Sequence, residues 1–141
     1  MVKMDLVSHV IEVRRVTTRI IALELAIENE IVTVLSVYAP QSGLSNDEKD
    51  LFYECLSNEM LRVQGKCVIL GDFNGHVGRD SDGYEEVHGG FGFGLRNEEG
   101  ERVLDFADSF NLKIINTWFK KDEEKLVTIE SGDHRTTIDY V

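Results

Sequence analysis

The chain has 141 residues, 42% of them hydrophobic, with 15 Lys and Arg against 26 Asp and Glu and a formal net charge of -11. That length and apolar content suit one domain with a core of its own. The negative balance excludes a general electrostatic affinity for polyphosphates, and leaves a local basic strip or carboxylates gathered round a cation as open alternatives.

Residues 10–13 alternate like a strand, and residues 20–27 and 31–38 are apolar runs rich in β-branched side chains on either side of the polar break Glu28-Asn29-Glu30. The Leu and Ala content of 20–27 also suits a helix, but its neighbours favour three antiparallel strands. Pro40 ends the third, because it has no N–H for a ladder. Ser45-Asn46-Asp47-Glu48 has capping-box spacing, and Leu51, Phe52, Cys55, Leu56, Met60 and Val63 continue a helical stripe that Gly65 is expected to stop. A buried strand follows over 67–70. Residues 75–97 are rich in glycine and acid without periodicity, a long loop of the kind that is functional or disordered. Asn97 is expected to cap a second helix with Val103, Leu104, Ala107 and Phe110 on its inner face and Asn111 at its end. Residues 113–116, 126–129 and 136–141 are further strands, the last two separated by the turn Glu130-Ser131-Gly132-Asp133. A strand, helix, strand order of these lengths points to a mixed α/β sheet with flanking helices.

Cys55 and Cys67 show no Cys-x-x-Cys or zinc-like spacing, and read as free, buried small hydrophobes of a reducing compartment. No cleavable leader opens the chain and no apolar run nears the ~18 residues of a membrane span. A soluble intracellular protein, nuclear or cytoplasmic, with no membrane partner is expected.

Chemistry concentrates where Leu70-Gly71-Asp72-Phe73-Asn74 ends the 67–70 strand. Side chains repeat every two residues on an extended chain, so Asp72 and Asn74 emerge on one side. They are oxygen ligands for a hard cation, or a water-activating acid beside a donor to a phosphate oxygen. They also suit a plain strand exit in which both bond nearby backbone. Tyr38, at a strand end before Pro40, is a phenol able to donate to phosphate or an ordinary strand-end tyrosine. Asp139 lies between Ile138 and Tyr140 and faces away from both, toward either a site or solvent. His76, His88 and His134 lack the spacing of a helical metal pair and read as loop histidines. The Gly89 to Gly94 run has no Lys-Ser/Thr of a P-loop, and Asp80-Ser81-Asp82-Gly83 is too short for an EF-hand.

In order and spacing, Val37-Tyr38-Ala39-Pro40, Leu70-Gly71-Asp72-Phe73-Asn74 and Thr137-Ile138-Asp139-Tyr140 resemble the endonuclease/exonuclease/phosphatase superfamily. Gly75-His76-Val77-Gly78, Arg96-Asn97-Glu98-Glu99-Gly100-Glu101 and Asn116-Thr117-Trp118-Phe119 are similar, more narrowly, to endonuclease domains of non-LTR retrotransposons. The resemblance implies a two-sheet α/β sandwich and Mg2+-dependent phosphodiester hydrolysis of DNA. Asp72 would activate or orient the attacking water, Asn74 hold the scissile phosphate, and Tyr38 contact a phosphate oxygen. Asp139 would orient a histidine, and Asp72 with Asn74 would be the metal ligands.

Whole domains of that family also carry an Asn and a metal-binding Glu ahead of the matched region and a Ser-Asp-His beyond it. None of the four histidines here stands in such a motif, and Glu24, Glu28 and Glu30 fall after the metal-Glu position. Residues 1–141 are therefore expected to be a single incomplete domain lacking N-terminal and C-terminal portions, with Mg2+ held weakly or not at all and activity weak or absent, since parts of a catalytic unit act jointly. The alternative is a domesticated, non-catalytic module. Either way, an incomplete sandwich would expose apolar sheet surface, so self-association or a protein partner is expected.

Overall fold

A computed structural model describes residues 3–131 and 134–141. After a single helical turn, α1 (Met4–Val7), strands β1 (Val10–Arg15), β2 (Ile20–Ile27) and β3 (Glu30–Tyr38) form an antiparallel meander. Helix α2 (Asn46–Met60) crosses to β4 (Lys66–Asp72), which runs parallel to β3. Helix α3 (Glu98–Ser109) follows the long loop, and then come the hairpin of β5 (Ile129–Ser131) with β6 (His134–Thr136) and the short β7 (Asp139–Tyr140), antiparallel to β4. The main sheet has the order β1-β2-β3-β4-β7. The expected mixed α/β sheet with flanking helices is what forms.

Both long helices lie on one face. Ile20, Ala22, Leu35, Val37 and Ile69 of the sheet pack with Phe52 and Leu56 of α2 and Val103, Leu104, Phe106 and Ala107 of α3. Residues at alternate positions look the other way, and there Val13, Ile21, Val68 and Leu70 are 60%, 42%, 37% and 37% exposed. The sheet is thus covered on one side and carries apolar side chains in the open on the other. Between the helices, Lys49 Nζ donates to Glu99 and to the Ser42 carbonyl, both at 2.9 Å, and the Arg102 guanidinium reaches Asp50 at 2.5 Å.

Both helices start where the sequence places them. The Glu48 N–H donates to Ser45 Oγ at 3.3 Å and the Ser45 N–H to the Glu48 carboxylate at 3.2 Å, closing the capping box. Asn97 Oδ1 accepts from the Gly100 N–H at 2.8 Å, and Asn111 ends the second helix region with φ 53°. Helix α2 stops at Met60, short of Gly65, because the N–H groups of Arg62 and Val63 bond back three residues to Glu59 and Met60 at 3.0 and 3.1 Å. Such tight turns close a helix end. Gly65 serves another purpose, since a Cβ there would lie 2.5 Å from the Ile31 carbonyl oxygen.

The strand expected over 113–116 is corrected to a 3-10 turn, Ile115–Thr117. Thr117 Oγ1 donates to the Ile114 carbonyl at 2.7 Å and accepts from Gly89 N–H at 2.9 Å, so a side chain competes with a ladder for the backbone. The strand expected over 126–129 begins only at Ile129. The Thr128 N–H still bonds the Thr136 carbonyl at 2.9 Å, but Thr128 Oγ1 accepts from the Ile138 N–H at 3.1 Å and Thr137 Oγ1 donates to the Leu126 carbonyl, so hydroxyls take backbone partners that a longer ladder would use. The strand expected over 136–141 is interrupted at Thr137 and Ile138, which leaves β6 and β7 in different sheets. Gly132 and Asp133 of the intervening turn lie outside the described residues.

Candidate functional site

The sheet register sets Tyr38, Asp72 and Asp139 in one transverse row. Tyr38 of β3 pairs with Asp72 of β4, and Asp72 pairs with Asp139 of β7. Directly paired residues on adjacent strands have Cα atoms about 5 Å apart with side chains on the same face. Ile138 and Tyr140, on either side of Asp139, are buried at 7% and 3% exposure, and Asp139 points the other way. The phenol and both carboxylates therefore meet at the end of the open face where β3 and β4 finish.

Asn74 joins them through a turn. It sits in the left-handed region with φ 50°, a conformation Asn tolerates better than most side chains. Its N–H donates to Asp72 Oδ1 at 2.8 Å, and its Nδ2 donates to the Ala39 carbonyl at 2.8 Å. Both bonds to nearby backbone that a plain strand exit requires are present. They also fix the amide between the ends of β3 and β4, with Asn74 Oδ1 and the second Asp72 oxygen uncommitted among the described residues.

Burial raises the Asp72 pKa above the ordinary carboxylate value; the Asn74 N–H opposes the rise and the negative charge of Asp139 adds to it. A cation would relieve both the desolvation and the repulsion. The donor set, two carboxylates and an amide oxygen, fits a hard cation that keeps several waters. It is sparse, for no group of three or more His, Cys, Asp or Glu able to hold a metal occurs among the described residues.

The loop after Asn74 is clamped to α3. Asn97 Oδ1, besides capping the helix, accepts from the His76 N–H at 2.8 Å, and the Asn97 N–H donates to the His76 carbonyl at 3.1 Å. The approach is so close that a Cβ on Gly100 would stand 1.8 Å from the His76 carbonyl oxygen, and one on Gly75 2.7 Å from the Glu99 backbone. Tyr140 closes the other side, its hydroxyl placed 3.0 Å from the Gly75 carbonyl and 2.7 Å from that of Thr137.

Tyr38 is 46% exposed, and its hydroxyl accepts from Gln41 Nε2 at 3.3 Å. Sequence reading missed its cationic neighbour. The Arg19 guanidinium lies 5.3 Å from the ring centroid, and its Nη1 is 3.3 Å from the Tyr38 carbonyl oxygen. Only the hairpin register, with Tyr38 N–H donating to the Arg19 carbonyl at 2.9 Å, brings the pair together. Asn116 was also missed as a neighbour of this corner; its Nδ2 is 3.3 Å from the Asp139 carbonyl oxygen and its Oδ1 accepts from Val141 N–H at 2.7 Å.

No described histidine side chain is hydrogen-bonded to Asp139. The His76 ring lies 2.7 Å from Thr136 Oγ1, and the His88 ring is buried 3.1 Å from the Gly78 carbonyl oxygen, where desolvation lowers its pKa. The His134 side chain lies outside the described residues.

No known protein-family profile matches the chain. It is 36% identical over 115 residues to craniofacial development protein 2 of Bos taurus, covering 78% of this chain and 19% of that protein. The same protein of Tragulus javanicus is 36% identical over 115 residues, covering 78% and 20%. The chain spans about a fifth of the length of these relatives. Among solved structures, its fold matches the endonuclease domain of TRAS1, a telomere-specific non-LTR retrotransposon, with a TM-score of 0.66 at 14% identity over 93% of this chain and 51% of that one. No helix among the described residues is long and apolar enough to cross a membrane. The chain has a mixed α/β fold matching that of an endonuclease domain, and it is related in sequence to part of craniofacial development protein 2.

Proposed function

We propose that the chain is a retrotransposon-derived, Mg2+-dependent endonuclease-like phosphodiesterase domain whose Asp72, Asn74, Tyr38 and Asp139 form a remnant phosphate-and-metal corner, weakly active or inactive in these 141 residues. The observation that supports it best is the transverse row of Tyr38, Asp72 and Asp139 with Asn74 pinned beside it. Asp72 and Asn74 would hold the Mg2+, which when bound supplies Lewis-acid stabilisation of charge on phosphate oxygens. The protein's own groups do the rest: Asp72 orients a water, the Asn74 amide and Tyr38 hydroxyl position phosphate oxygens, and the Arg19 cation beside Tyr38 adds positive potential in an acidic chain.

DNA is the substrate class of the ancestral activity, and a nuclear or cytoplasmic setting follows from that reading. The purified chain is expected not to nick supercoiled DNA measurably in Mg2+. Robust Mg2+-dependent nicking that disappears in Asp72→Ala would overturn the proposed inactivity.

The exposed apolar side of the sheet favours a second reading, a domesticated non-catalytic module that binds a protein partner through Val13, Ile21, Val68 and Leu70. It predicts that Asp72→Ala and Asn74→Ala leave partner capture unchanged. Loss of capture in both would remove this reading.

A further inference from the structure

Negative charge and aromatic surface come together on the helix layer. Helices α2 and α3 carry only two cations: Lys49 is buried against Glu99, and Arg102 is tied to Asp50. Asp50, Glu54, Glu98, Glu101, Asp105 and Asp108 are exposed on the same two helices. The potential over this layer, on the side away from the open sheet face, is therefore negative.

The two helices run side by side in the same direction, since their contacts advance together along both. Lys49 meets Glu99, Asp50 meets Arg102, and the Tyr53 and Phe106 rings stand with centroids 5.8 Å apart. Beyond that pair the side chains on the two banks shrink to Ser57 and Ser109. A groove of about 260 Å3 opens there over Tyr53, Phe106 and Phe110. The Phe106 and Phe110 rings are 5.1 Å apart, and while Phe106 is buried, Tyr53 and Phe110 are only part-buried. Ser109 Oγ donates to the Asp105 carbonyl at 2.8 Å, back along its own helix and not across the groove. The Tyr53 hydroxyl has no hydrogen-bond partner among the described residues.

We propose that the groove between α2 and α3 docks a basic amphipathic helix of another protein. Leucine-sized side chains one turn apart on that helix rest on the aromatic floor, and Lys or Arg beside them meet the carboxylates of both banks. Helices close their own backbone hydrogen bonds, so the groove offers no ladder to an extended segment. The acidic banks repel a polyphosphate, and they equally repel a second copy of the chain docking through the same face. Apolar burial supplies affinity, and the charge of the banks selects the occupant.

The probe is the acetylated and amidated peptide Lys-Ala-Leu-Lys-Lys-Ala-Leu-Lys-Ala-Leu-Lys-Lys-Ala-Leu-Lys, whose leucines share one helical face. Its controls are the same residues reordered so that the leucines circle the helix, and the same order with Glu in place of Lys. Each is titrated into the 15N-labelled chain. The probe is expected to give saturable amide shifts centred on Tyr53, Ser57, Asp105 and Ser109, and each control to bind about tenfold more weakly or worse. Glu54→Lys with Asp108→Lys, which reverses one exposed charge beside Tyr53 and one beside Ser109, should weaken the probe by a similar factor. Ser57→Trp, which fills the groove, should do the same, and the charge-reversed variant keeps the answer independent of the folding of that one. No saturable shift at millimolar peptide, equal binding of either control, shifts centred on Val68 and Leu70 or spread over the whole acidic surface, or unchanged affinity in the charge-reversed variant would overturn the proposal.

Discussion

Asn97→Ala tests whether the candidate corner is held from the side of α3. One carboxamide oxygen accepts from the Gly100 N–H and the His76 N–H, both at 2.8 Å. Losing the cap costs about 1 kcal/mol. Leaving the part-buried His76 N–H unpaired costs about 1–3 kcal/mol more, so the expected loss is about 2–4 kcal/mol. With a urea slope near 2 kcal/mol/M, the midpoint falls by about 1–2 M. Asn97→Asp keeps the acceptor and adds a negative charge at a helix N-terminus, so it is expected to recover most of the loss. Amide exchange should quicken first at His76 and Val77. A midpoint shift below about 0.3 M for Asn97→Ala, or an Asn97→Asp variant no better than it, would refute the clamp.

Other perturbations probe separate parts of the chain. Lys49→Met removes the partner of a mostly buried carboxylate and is expected to cost about 3 kcal/mol in chemical denaturation; a loss within the scatter of surface substitutions would contradict the pairing. Lys49 holds the Glu99 pKa below its ordinary value, so the contribution of Glu99 is complete above its unfolded pKa and disappears as pH falls through the lower folded value. Stability of the native chain should thus fall with acid below ~pH 4.3, less steeply in Lys49→Met, which a pH series of urea titrations reads. Leu70→Lys together with Val68→Lys on the open face should abolish any concentration-dependent sedimentation of the chain, and persistence of that association would move it to another surface.

What was legible in the sequence is what short-range chemistry dictates. Ser45 with Glu48, and Asn97 ahead of Val103 and Leu104, are local caps that need no tertiary knowledge. The apolar runs of β2, β3 and β4 likewise announced strands. The chemical corner was legible as separate residues, and its assembly into a row depends on register, which the parallel crossover through α2 and the two-residue β7 decide. Arg19 was missed because nothing in Thr18-Arg19-Ile20 indicates that a hairpin will lay it on Tyr38. The run at 113–116 misled because its two isoleucines alternate with nothing: Ile114 is buried while Ile115 is 45% exposed, and Thr117 takes the Ile114 carbonyl that a ladder would need.

The proposed phosphate-and-metal corner is tested most directly by titrating the 15N-labelled chain with Mn2+ and following paramagnetic broadening of its amides. The expected result is weak, saturable broadening centred on Asp72, Phe73 and Asn74 that reaches Tyr38 and Asp139, and its loss from that corner in Asp72→Ala. Broadening spread over the acidic surface with no preference for these residues, or the same corner response in Asp72→Ala, would contradict it.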